Sequence, residues 1–257
     1  MPTQIVTFDN VDLSDWFSTW QESNPSRLNA MTAPRRHGAI LSEAVVEDAR
    51  RISVKGTILK STASLLRDTL DTLGELFMRR NKRLQLWDDR YRYAYKSDFT
   101  YSYIIGSAMT GVDFELNFFC PDPFWYSTTA DTESYELNTG HTIIDITNNL
   151  YKRAFTLTNN GMVIAYPKIT VTAGITPLTN IVIRNLTQGL FFRYTGTIAV
   201  GKSLVVQPLD FTVRNDGTDD LTNFAGDFLG LRVGANSMEI EGTTIATYIF
   251  EWTSRWA

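Results

Sequence analysis

The chain has 257 residues, 43% hydrophobic, 12% aromatic and 20% charged, with 24 basic against 28 acidic side chains. Its length admits one large or two ordinary domains, and its balance excludes a disordered chain. The net charge of −4 argues against nucleic-acid binding by the surface as a whole, and the single cysteine, Cys120, excludes an internal disulfide framework or a cysteine zinc cluster.

The opening MPTQIVTFDNVDLSDWF has no basic head before an apolar run, so no secretion signal is expected there. No stretch approaches the roughly 18 consecutive apolar residues of a membrane span, and no membrane insertion is expected. Residues 51–59, RISVKGTIL, alternate with Ile52, Val54 and Ile58 on one face and predict a strand. A helix is predicted from Thr62 to about Arg80. Leu66, Leu70, Leu73 and Phe77 fall on one stripe, which Leu65 and Leu76 widen. Ser61 or Thr62 caps its start, and Arg79, Arg80 and Lys82 sit where the dipole favours cations.

Arg83–Trp87 predicts the next strand, turning at Asp88-Asp89 into an alternation of Tyr91, Tyr93 and Tyr95 with Arg92, Ala94 and Lys96. Thr100–Ile105 and Val112–Phe118 flank a loop, Gly106–Gly111. The run Cys120-Pro-Asp-Pro-Phe-Trp-Tyr126 then forbids regular pairing, because proline lacks a backbone donor. A domain boundary is expected there, dividing the chain into residues 1–127 and 128–257.

Beyond it the pattern is strand and turn. Asn159-Asn160-Gly161 and Asn215-Asp216-Gly217 are turn signals. Lys168–Thr172, Asn180–Arg184, Leu190–Tyr194, Ser203–Gln207, Phe211–Arg214, Met238–Glu241 and Thr244–Trp252 read as short strands. The expectation is a mainly β chain: an N-terminal β-barrel or sandwich domain with one α-helix, then a two-sheet antiparallel sandwich.

The chemistry-bearing residues do not form a catalytic set. His37 and His141 are far apart in sequence, and a general base needs a positioned partner. Cys120 has no cation beside it in sequence to lower its pKa and reads as a buried structural thiol. Asp216, Asp219 and Asp220 lack the spacing of a calcium loop, and a hairpin turn is the expected reading. Asp113 and Glu115 share a strand face, whereas glycosidase carboxylates usually come from separate elements flanking a cleft. No G-x-x-x-x-G-K-[ST] or G-x-G-x-x-G run occurs, so no catalytic residue, cofactor or metal is expected.

Charge is unevenly spread. Residues 27–96 hold 15 of the 24 Lys and Arg residues but only 8 acids, while residues 1–127 carry 15 basic against 16 acidic side chains. The basic middle fits a solvated face, a subunit interface or nucleic-acid contact. The interface reading gains from the bidentate pairing of arginine with carboxylates.

Taken together, these features resemble the distal tail (Dit) proteins of long-tailed siphophages. In the first half the resemblance runs from Pro34-Arg-Arg-His-Gly38 through RISVKGTIL, the helix TASLLRDTLDTLGELF and RLQLWDDRYRYAYKSDF to Phe119–Ser127, its most specific piece; Asn24–Met31 match poorly. In the second half it rests on Asn159-Asn-Gly161, Ala165–Val171, Gly201-Lys-Ser-Leu, Leu231–Asn236 and the terminal YIFEWTSRWA. It implies a virion protein of the distal tail tip, assembled in the host cytoplasm. A homohexameric ring of N-terminal domains would stack between a tail-tube protein and the tail-associated tip protein. The C-terminal sandwich would be galectin-like and project outward to hold receptor-binding proteins.

DNA would pass through such a ring without specific binding, which calls for a neutral or acidic bore. Ring closure needs a heterologous interface, for which Arg35, Arg36, Arg50, Arg51, Arg79 and Arg80 are the candidates. The rival expectation is a carbohydrate-binding sandwich domain in which Trp252 and Trp256 stack on host-surface sugars. Against it stands the simpler reading that both are partly buried ends of the last strand.

Overall fold

A computed structural model describes residues 4–23, 26–27, 30–32, 39–41, 46–47, 49–137, 142–145 and 150–256. The chain divides into two compact units, Met1–Thr128 and Thr129–Ala257.

The first unit contains β1 (Gln4–Phe8), β2 (Val11–Asp12), β3 (Phe17–Ser23), β4 (Ser26–Arg27), β5 (Ala30–Thr32), β6 (Ala39–Leu41) and β7 (Val46–Glu47). It continues with β8 (Arg50–Leu59), α1 (Ala63–Met78), β9 (Lys82–Trp87), β10 (Arg90–Tyr103), β11 (Gly111–Cys120) and β12 (Trp125–Ser127). Its main sheet runs β2-β1-β9-β10-β11-β8-β3, and β12 adds to β10 at Arg90 and Tyr91. Short ladders pair β4 with β7 and β5 with β6. Strand β10 serves two neighbours in turn: Arg90–Ala94 lie against β9, and Tyr95–Tyr103 against β11, with a bulge between Lys96 and Asp98.

Strand β8 buries Ile52, Val54 and Ile58 as its alternation requires. Gly56 lies on the same face, where a Cβ would stand 1.9 Å from the Trp16 carbonyl oxygen, so the close passage of the two backbones needs glycine.

The helix matches its expected stripe. Thr62 caps it, its hydroxyl accepting the Leu65 N–H at 3.2 Å. Leu66, Leu70, Leu73, Leu76 and Phe77 are buried, and the Phe77 ring packs 5.9 Å from Phe8, 5.5 Å from Phe99 and 6.3 Å from Phe118. Each such side chain contributes about 2 kcal/mol on burial, which a helix of marginal intrinsic stability requires. Leu65 departs from expectation: it sits on the flank of the stripe and stays exposed. The helix also stops at Met78, with Arg79 extended, so Arg79, Arg80 and Lys82 lie past its last turn. Arg79 and Lys82 pair instead with Asp9, at 2.7 and 3.3 Å.

The second unit contains β13 (Asp131–Leu137), β14 (Thr142–Asp145), β15 (Leu150–Asn159), β16 (Lys168–Ala173), β17 (Ile181–Asn185) and β18 (Leu190–Tyr194). Then come β19 (Ser203–Gln207), β20 (Thr212–Asn215), β21 (Thr218–Asp219), β22 (Phe224–Gly226), β23 (Gly234–Gly242) and β24 (Ala246–Trp252). They form two antiparallel sheets, β13-β24-β16-β19-β20-β21 and β14-β15-β23-β17-β18-β22. Ile169, Val171, Val206 and Phe250 of the first sheet meet Leu157, Ile183, Phe192 and Ile240 of the second in one core. Tyr135 stacks on Phe155 with ring centroids 3.9 Å apart.

Both turn signals act through named groups. Asn159 is buried; its amide donates to the Val163 and Leu231 carbonyls while its Oδ1 accepts the Gly161 N–H at 2.9 Å. In the β20–β21 hairpin, Asp216 and Gly217 take φ of 50° and 81°, the left-handed pair that a tight hairpin needs. Strands β13, β14 and β15, all before Asn160, were not anticipated from the sequence.

Candidate interaction surfaces

The expected interface arginines separate into distinct environments. Arg35 and Arg36 lie outside the described residues, as do His37 and His141. Arg51 and Arg80 are exposed. Arg51 lines a shallow depression with Ser97, Asp98, Asn117 and Phe119. Arg79 is exposed but engaged with Asp9. Arg50 is the correction: it is 5% exposed and bonds Glu22 at 3.3 Å, so in this unit it serves the interior and not a contact surface.

That interior holds a residue the sequence reading missed. Arg92, on β10, is fully buried, and its Nη1 donates to Glu22 Oε1 at 2.7 Å. Two guanidinium groups thus share one carboxylate, brought together because β3 carries Glu22, β8 carries Arg50 and β10 carries Arg92. The Arg92 guanidinium lies 4.1 Å over the Trp125 ring, and Trp125 packs 4.8 Å from Trp87, which in turn packs 5.1 Å from Trp20. Stacking on a ring face stabilises a desolvated cation. Arg92 Nε and Nη2 find no hydrogen-bond partner among the described residues.

Cys120 ends β11 opposite Arg50, buried and free. Burial pushes its thiol up to about 12, only partly offset by the Arg92 charge. A thiol so protonated is a poor nucleophile.

On the outer face of β8 and β11, polar groups pair across the strands. Thr57 donates to Asp113 at 2.7 Å, Ser53 to Glu115 at 2.9 Å, and Lys55 lies 3.2 Å from Glu115. The Ser53 hydroxyl and then the Lys55 ammonium hold the Glu115 carboxyl below its usual range. An acid catalyst needs the opposite shift. Lys55, Asp113 and Glu115 line a depression of about 320 Å³ with Thr100, Tyr101, Ser102 and Phe114.

In the second unit, Arg184 bridges Glu239 and Glu241 at 3.0 and 2.5 Å, and Lys152 joins Glu239 at 2.5 Å. Beside them lies a hollow of about 340 Å³ lined by Asn180, Val182, Arg184, Phe191, Arg193 and Glu241. Trp252 packs into the sandwich core, where a ring with 4% exposure has no face to offer a sugar, and Trp256 is half-buried. The aspartates of the expected hairpin are otherwise engaged. Asp216 pairs with Lys202 at 3.0 Å, Asp219 with Arg214 at 2.8 Å, and Asp220 accepts from Tyr194 at 2.5 Å. Among the described residues no group of three metal-ligating side chains converges, and no helix is long and apolar enough to cross a membrane.

Residues 160–256 match the family described as siphovirus-type tail component, C-terminal domain, of the SPP1 Dit type. The fold is similar to that of the SPP1 Dit protein (gp 19.1), described as a paradigm of the hub adsorption apparatus in phages that infect Gram-positive bacteria. That likeness has a TM-score of 0.70 and 17% identity, and covers 99% of this chain and 100% of the other. No curated protein sequence matches the chain. Residues 160–256 thus match the siphovirus-type tail component, C-terminal domain, and the chain shares the fold of the SPP1 Dit protein over 99% of its length.

Proposed function

We propose that this chain is the structural hub of the distal tail of a long-tailed, non-contractile phage. In this reading six first units close a ring that joins the tail-tube protein to the tail-associated tip protein. The second unit, a galectin-like sandwich, projects outward and anchors receptor-binding proteins. The observation that carries the reading is the tail-component domain at residues 160–256 within a chain that has the Dit fold over 99% of its length.

The side-chain chemistry of the described residues suits a scaffold. The Cys120 thiol is held protonated, Asp113 and Glu115 are engaged with hydroxyls and Lys55, and Glu22 is bonded to Arg50 and Arg92. The exposed Arg51 and Arg80 are the best remaining candidates for subunit contact, together with Arg35 and Arg36.

Electron microscopy of the purified protein tests the reading directly. Six-fold rings are the expected outcome, and a monodisperse monomer at micromolar concentration would overturn it. A glycan array on the intact protein should stay blank, whereas specific binding would favour the carbohydrate-binding reading.

A further inference from the structure

At one place in the second unit, aromatic rings climb from the core to the surface. Phe192 is fully buried; Phe224 lies 5.1 Å from it, Phe228 lies 4.8 Å from Phe224, and Phe211 lies 5.3 Å from Phe228. The last ring is 68% exposed, and Leu209, two residues earlier, is 60% exposed.

Phe211 also has a φ of 53°. A left-handed backbone is costly for a bulky side chain, and such strain concentrates at functional sites. The turn that holds it closes through the Phe211 N–H donating to the Pro208 carbonyl at 3.4 Å. The strained backbone therefore presents a large apolar ring to water. Exposed aromatic clusters of this kind mark contact sites, and aromatic residues are enriched at the centres of interfaces.

The surroundings specify the partner's charge. Residues 208–228 carry five aspartates, Asp210, Asp216, Asp219, Asp220 and Asp227, against one basic residue, Arg214. That excess of four negative charges equals the net charge of the entire chain, −4. Asp216 and Asp219 are neutralised by Lys202 and Arg214. Asp210 and Asp227 are exposed, precede the two outer rings in sequence, and form no ion pair among the described residues. Such a rim repels DNA and other polyanions and attracts a basic protein surface.

We propose that Phe211 and its acidic rim dock a second, different virion protein through an apolar pocket bordered by lysine or arginine. The proposal rests on the hub reading and assigns one of its outward attachments to this patch. The occupant is a protein of complementary charge; a second copy of this chain docking patch to patch would oppose the same aspartates and is disfavoured by like-charge repulsion.

The test uses intact virions in which Phe211 is replaced by the photocrosslinking analogue p-benzoylphenylalanine. On irradiation, mass spectrometry should find a crosslink to a Lys- or Arg-bearing peptide of another virion protein, and Asp210→Lys with Asp227→Lys should reduce it at least tenfold. A companion variant, Phe211→Gly, suits the left-handed backbone. It should leave the unfolding temperature unchanged or raised while at least tenfold less of the crosslinked protein remains in the particle. Crosslinks only to another copy of this chain, no crosslink while the chain is present in the tail, or unchanged partner content in the glycine variant would each overturn the proposal. Virions that lack the chain altogether would overturn the hub reading, and this inference with it.

Discussion

Arg92 reaches Glu22 across the interior of the first unit, Nη1 to Oε1 at 2.7 Å, with its guanidinium 4.1 Å over the Trp125 ring. Removing one partner of a buried pair leaves an uncompensated charge and costs about 3–5 kcal/mol. Glu22→Ala should therefore lose about that much, read as a shift in the urea midpoint followed by tryptophan fluorescence. Glu22→Leu combined with Arg50→Leu and Arg92→Leu, which removes both guanidinium groups that share the carboxylate, should recover most of the loss. A triple variant no better than the single one would show that the charges themselves are indispensable.

Gly56 offers a purely steric prediction. A Cβ at this position would stand 1.9 Å from the Trp16 carbonyl oxygen and 2.9 Å from the Phe114 ring. Gly56→Ala must push β8 away from the Trp16 backbone, and overpacking of this kind costs about 1–3 kcal/mol. Gly74→Ala, in the helix with open space around the added methyl, should be neutral or stabilising. Thermal melts of the two variants, compared side by side, separate the effects.

The Asp9 carboxyl gives a pH dependence of defined sign. The Arg79 hydrogen bond, and then Lys82, hold it below its ordinary value of 3.8. A depressed folded-state pKa contributes stability that is complete above the unfolded value and is lost as pH falls through the folded one. The unfolding temperature should therefore fall below about pH 4, and less steeply in Asp9→Asn. Because Arg79 is exposed and Asp9 and Lys82 are only partly buried, added salt should shrink the difference between the two proteins.

Arg51 and Arg80 are the described candidates for ring contact that remain open to a neighbour. Arg51→Glu with Arg80→Glu should shift the protein to a smaller species on size exclusion while far-UV circular dichroism stays unchanged. An unaltered elution volume would remove these two residues from the proposed interface.

The helix was readable from its sequence because a 3.6-residue apolar period has one geometric solution, and a threonine cap fixes its start at Thr62. Its end was less readable: Arg79 and Lys82 are cations near the carboxyl end, but their ion-pair partner, Asp9, is far away in sequence. Arg92 was the instructive miss. Alternation assigns Tyr91 and Arg92 to opposite faces, one inside and one out, yet both are buried. Tyr91 stacks on Tyr126 of β12 while Arg92 faces Glu22, so β10 is covered on both sides there. No local pattern records that. The same limitation applies to Phe211, whose position reads as strand although the backbone turns left-handed before β20 begins at Thr212.

The two ladders of β10 also act as a mutual check on register. A slip of one residue against β11 would carry the upstream half of the strand along β9, since both halves belong to one continuous run, Arg90–Tyr103. It would turn Arg92 away from Glu22 and bring Tyr93 inward in its place, stranding a carboxylate and a cation at once. A mispaired intermediate would therefore be penalised at two distant places by one error. The pairing of β10 with β9 is thereby tied to its pairing with β11.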